Sequence, residues 1–124
     1  MTYAKKHIVE IVTNSSGDAV AYTEKPLNGK IINAIYDKTD FADGVDFTIT
    51  SETTGQNIWT ESNVNASKTI SPKQPVHDTA GVAALYASGG EAVLHEIYVV
   101  DERIKCVIAN GGDTKTGTIT FIEG

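Results

Sequence analysis

The segment Val45-Asp46-Phe47-Thr48-Ile49-Thr50 decides the fold class. Val45, Phe47 and Ile49 are apolar, and Asp46, Thr48 and Thr50 between them are polar. Successive side chains of an extended chain point to opposite faces, so this alternation reads as a strand with one buried and one wet face. The pattern recurs at Ile104, Cys106 and Ile108, and again at Gly117, Ile119 and Phe121. Residues 31–36 are apolar on both faces apart from Asn33, which predicts a central strand. Residues 7–12, 19–23 and 93–100 give further strands, with short ones at Ile58-Trp59 and Lys68-Thr69-Ile70. Between them stand turn formers: Asn14-Ser15-Ser16-Gly17-Asp18, Asn28-Gly29, Asp43-Gly44, Gly89-Gly90 and Gly111-Gly112-Asp113. Many short strands at this spacing, without a βαβ rhythm, predict an all-β protein. The expected architecture is an antiparallel, jelly-roll-like β-sandwich.

One stretch breaks the pattern. Residues 78–88 are alanine-rich and close on Gly89-Gly90. They predict a short helix, with Asp78 or Thr79 as N-cap and Gly89 as C-cap. Gly81 disfavours it, and an irregular loop of small residues is the rival reading. Pro72 and Pro75 just before it mark a loop or a sheet edge, since proline cannot donate to a central ladder.

The chain has 124 residues, 40% hydrophobic and 21% charged, which suits one domain over 1–124 with a packed core. Ten basic against sixteen acidic residues give a net charge of −6. That balance argues against binding to nucleic acid or to an anionic membrane, both of which need clustered Lys and Arg. No apolar run approaches a membrane span, and no signal-peptide core follows Lys5-Lys6, so synthesis in the cytoplasm without export is expected. A single cysteine, Cys106, excludes an intrachain disulfide and any multi-cysteine zinc site.

No catalytic constellation emerges. His7, His77 and His95 lack metal-ligand spacing. Asp37, Asp40, Asp43 and Asp46 recur every third residue, but without the EF-hand order, and read as a solvated turn, with a calcium-binding loop as the alternative. Cys106 falls on the inward face of its strand and reads as a small buried hydrophobe. Gly111-Gly112-Asp113-Thr114-Lys115-Thr116 lacks the spacing and the following helix of a phosphate loop. Trp59 is read first as core, with an exposed stacking platform as the alternative. The expectation is a protein that is not an enzyme and carries no cofactor.

Four phrases resemble small structural proteins of tailed bacteriophages: residues 38–49, 80–90, 102–112 and 117–121. The resemblance implies a virion component made in the host cytoplasm. Its best form is a capsid cement or decoration protein on the capsid surface. Such proteins bind the major capsid protein across subunit joints and self-associate as dimers or trimers. A tail or neck component, or a small carbohydrate-binding module using Trp59 and a tyrosine, are the alternatives. Residues 52–65 and 72–90 read as loops long enough to reach a neighbour, and residues 1–7 as an arm. The 72–90 segment is expected to carry the contact. The candidate contact residues are Pro72, Pro75, Val76, Val82, Leu85 and Tyr86, with Trp59.

Overall fold

Alternation translates into ten strands in the computed structural model, which describes residues 4–124. They are β1 (Lys5–Val12), β2 (Ala19–Tyr22), β3 (Leu27–Asp37), β4 (Val45–Ser51), β5 (Asn57–Val64), β6 (Lys68–Ile70), β7 (Lys73–Pro75), β8 (Leu94–Glu102), β9 (Ile104–Ala109) and β10 (Thr116–Glu123). One sheet runs β1-β10-β3-β8-β7, with β6 also paired to β3. The other runs β2-β9-β4-β5. Every pairing is antiparallel.

The pairings are nested. β1 pairs with β10, β2 with β9, β3 with β8 and β4 with β5. That is one long hairpin rolled up, with successive turns of the roll falling in alternate sheets: the jelly roll. β3 lies in the middle of its sheet, as its apolar character on both faces predicts. The turn at residues 14–18 carries the chain from one sheet to the other, so β1 and β2 are not hairpin partners.

The two inner faces meet on a single core. Ile31, Tyr36, Ile97, Ile119 and Phe121 come from the first sheet, and Phe47, Ile49, Ile104, Cys106 and Ile108 from the second. Aromatic rings link the layers. Tyr36 stands edge-on to Phe47, centroids 4.6 Å apart, and Phe47 stands edge-on to Trp59 at 5.1 Å. Edge-to-face packing suits the ring quadrupoles.

Four register shifts, two of them in β5, change which residues face inward. An extra residue, Ile32, in β3 shifts the buried phase from Ile31 to Ala34 and Tyr36. An extra residue in β5 buries both Ile58 and Trp59, although they are adjacent. In β8 the bulge places Asp101 at φ 52° and turns both Val99 and Glu102 inward. The Asn28 carboxamide oxygen accepts the Asp101 N–H at 2.8 Å and pins that bulge.

Glu102 is then placed where the chain leaves one sheet for the other. Its carboxylate accepts the Thr53 and Thr54 N–H groups, each at 3.1 Å, and the Thr53 hydroxyl. The β4–β5 turn of one sheet is thereby fastened to the other. The Thr53 hydroxyl, with the two N–H groups, holds the Glu102 carboxyl below the usual glutamate range. Because the folded value lies below the unfolded one, this stabilisation is complete above about pH 4.5 and is lost as pH falls through the lowered value. Glu102→Gln is therefore expected to destabilise the protein most at neutral pH. The gap from the parent should narrow as pH falls below about 4.5. Urea midpoints of both proteins across that range measure it, and a gap independent of pH contradicts it.

Three expectations are corrected. Residues 78–88 do not form a helix, and the described residues contain none. The Asp78 side chain does accept the Ala80 and Val82 N–H groups, at 2.8 and 3.0 Å, but these bonds close a tight turn. Gly81 at φ 79° takes a left-handed backbone that the interior of a right-handed helix excludes. Residues 52–65 are not a long loop, because β5 occupies most of them. Residues 5–7 are not a free arm, since Lys5, Lys6 and His7 pair with Glu123, Ile122 and Phe121. Residues 1–3 of that expected arm lie outside the described residues.

Candidate functional site

The feature outside the regular roll is the segment between β7 and β8. Three backbone bonds close it into a ring: Val76 N–H to Val93 O at 2.8 Å, Val93 N–H to Ala84 O at 2.9 Å, and Ala84 N–H to Val76 O at 2.7 Å. Two small turns project from this base. One is closed by Asp78, through its N–H to Val82 O at 2.9 Å and its carboxylate to Val82 N–H. The other is closed by Tyr86 N–H to Glu91 O at 3.0 Å and Gly90 N–H to Ala87 O at 2.8 Å. Isolated bridges His77–Ala83 and Leu85–Ala92 complete the arm. Each backbone polar group bonded this way no longer needs water, so the arm holds a shape without regular structure.

The base of the arm is anchored on the sandwich. β7 pairs with β8 from Lys73 opposite Glu96 to Pro75 opposite Leu94. Lys73 and Glu96 are 3.6 Å apart, and the Gln56 side-chain amide donates to Gln74 at 2.7 Å. Pro75 lies on an outermost strand, where a missing N–H does no harm.

The candidate contact residues divide by burial. Val82, Leu85 and Tyr86 are exposed on the arm, Tyr86 to 76%. Pro75 and Val76 are half-buried at its base. Pro72 is buried before β7 begins. Trp59 is buried against Phe47, and its indole N–H donates to Glu61 at 3.0 Å. Trp59 and Pro72 therefore leave the candidate surface, and Trp59 is no stacking platform.

Sequence reasoning missed Leu94, Tyr98 and Val100. Together with Glu96 they form the outward face of β8, and Val100 is 81% exposed. Their spacing of two was legible. The run Ile97-Tyr98-Val99-Val100 is apolar at every position and reads as buried on both faces, and only the open outer side of this sheet shows otherwise.

The other clusters have structural employment. Asp37 accepts the Thr39 N–H, and Asp40 accepts the N–H and hydroxyl of Thr116. Asp43 pairs with Lys38, and Asp46 accepts the Asn63 N–H and the Asn110 amide. The four evenly spaced carboxylates are thus engaged separately: Asp37 and Asp43 brace residues 38 and 39 of their own turn, Asp40 holds Thr116, and Asp46 holds Asn63 and Asn110. Among the described residues, no group of three or more His, Cys, Asp or Glu side chains is placed to hold a metal ion. Cys106 is fully buried, and burial pushes its thiol up to about 12. The Gly111-Gly112 turn is likewise occupied. Gly111 N–H donates to Gly17 O at 2.9 Å, and the Thr13 hydroxyl donates to Gly112 O at 2.6 Å. A Cβ on Gly111 would stand 2.8 Å from Thr13 Cγ2, so glycine is required by close packing. The Glu123 carboxylate accepts from His7 Nε2 at 3.0 Å, and His95 lies near Tyr98 with ring centroids 6.2 Å apart.

Comparison with known proteins finds no matching family model, no matching curated protein and no matching solved structure. Among the described residues, no helix is long and apolar enough to cross a membrane.

Proposed function

We propose that this chain is a non-enzymatic structural protein of a virion. In this reading it is a cement protein that binds the major capsid protein across subunit joints and stiffens the shell from outside. The observation that carries the proposal is the arm: Val82, Leu85 and Tyr86 exposed on a hydrogen-bonded base, at the edge of a rigid sandwich. Apolar and aromatic side chains on a preorganised backbone can bury area without first losing much conformational freedom. A shell repeats the docking site by symmetry, so modest contacts suffice when self-associated copies bind several sites together.

Co-sedimentation of the purified protein with shells that lack it tests the proposal. Saturable binding at a fixed number of copies per shell is expected. Failure to bind shells, with a ring-shaped oligomer of the folded protein, would instead indicate a tail or neck component.

A further inference from the structure

The edges of the two sheets differ in how well they are closed to another strand. β2 has four residues, and β6 and β7 have three each, with Pro75 in β7. β5 is interrupted by two register shifts, with Asn63 at φ 57°. Short, bulged or proline-containing edges resist pairing. β1 has none of these devices. Its eight residues pair with β10 in one unbroken register, and its other side is an edge of the sheet.

The backbone groups at that edge follow from the ladder. Thr13, one step past β1, donates its N–H to Lys115 O at 2.9 Å. Antiparallel ladders alternate, so Ile11, Val9 and His7 also turn their N–H and C=O toward β10. Lys6, Ile8, Glu10 and Val12 turn theirs to the free edge. The same four side chains point away from the core, and Ile8 is 51% exposed.

We propose that β1 pairs antiparallel with β1 of a second copy of this chain, about a two-fold axis at Ile8. Charge chooses the register. With Ile8 opposite its own copy, Lys6 faces Glu10 of the other chain, and Glu10 faces Lys6. A shift by one residue would oppose an outward-bonding position to an inward-bonding one and is excluded by the ladder. A shift by two brings Lys6 opposite Ile8 or Val12 and leaves both charges without opposite partners. A two-fold contact must be self-complementary, and the spacing Lys6-Ile8-Glu10 satisfies that condition. The dimer joins two six-stranded sheets into one and removes the exposed Ile8 pair from water. This inference stands apart from shell binding, because the arm between β7 and β8 lies at the far side of the same sheet.

Sedimentation equilibrium of the full chain over a range of concentrations tests it. The parent is expected to be a monomer–dimer system. Ile8→Pro removes one outward N–H without touching the β10 ladder, and it should give a folded monomer. Lys6→Glu and Glu10→Lys should each weaken the dimer about tenfold, since both symmetry-related pairs become repulsive. The double variant Lys6→Glu/Glu10→Lys should recover the parent affinity, and so should an equal mixture of the two single variants. A parent that stays monomeric to millimolar concentration overturns the proposal. So does a dimer indifferent to Ile8→Pro, or a double variant no tighter than the single ones. If Ile8→Pro fails to fold by circular dichroism, the charge variants decide alone, since their side chains are exposed.

Discussion

Replacing Phe47 with alanine is expected to lower the unfolding free energy by about 3–5 kcal/mol. Phe47 is 1% exposed and touches both layers through its neighbours. It packs edge-on to Tyr36 in β3 of one sheet and to Trp59 in β5 of its own. Removing the ring forfeits its transfer free energy and leaves a cavity that two paired sheets cannot easily close. Such a loss is a large fraction of the roughly 5–15 kcal/mol by which domains are stable. Urea unfolding followed by the fluorescence of the single tryptophan, Trp59, measures it. Thr48, next in sequence, points to solvent, and Thr48→Ala should change stability by about 0.5 kcal/mol or less. Equal effects at the two positions would contradict the assignment of the inner face.

Serine at Val82, Leu85 and Tyr86 together is expected to weaken shell binding about 100-fold or more, with the unfolding midpoint unchanged. All three are exposed, so their side chains contribute little to the fold. The bonds that shape the arm are made by backbone groups and Asp78, and the substitution leaves them in place. Binding isotherms on shells lacking the protein give the first quantity, and thermal unfolding gives the second. Undiminished binding by the folded triple variant would remove the arm from the contact. Replacing residues 77–92 with a short turn is a coarser test. Val76 and Val93 are already joined by a backbone bond, so β7 and β8 should remain paired.

Much of the sandwich was legible because burial on one side of a strand leaves a period of two. Val45, Phe47 and Ile49 show it, as do Ile104, Cys106 and Ile108, and each of these residues is buried. The bulges were not legible. Nothing local in Ile58-Trp59 says that both side chains turn inward; that follows from Thr50 pairing with Asn57 while Ile49 pairs with Trp59. Nor did Glu102 announce itself as a buried clamp, since the bulge at Asp101 and the approach of Thr53 and Thr54 come from distant parts of the chain. Residues 78–88 misled for a related reason. Helix caps and tight turns use the same short polar side chains and glycines. Here the bonds at the base of the arm, Ala84 N–H to Val76 O and Val93 N–H to Ala84 O, decided between them.

By itself the sequence determined the class of this protein: an all-β sandwich, with the inner faces of the unbulged strands β4, β9 and β10 marked by alternation, and a departure from regularity at residues 78–88. Those properties are set by side-chain alternation and by turn formers, which act over a few residues. Only the tertiary structure decided the rolled order of the strands, the inward turn of both Ile58 and Trp59, the shape of the arm and the exposure of the β1 edge. Each depends on which strand lies beside which, and pairing partners as distant as Lys5 and Glu123 leave no trace in local pattern.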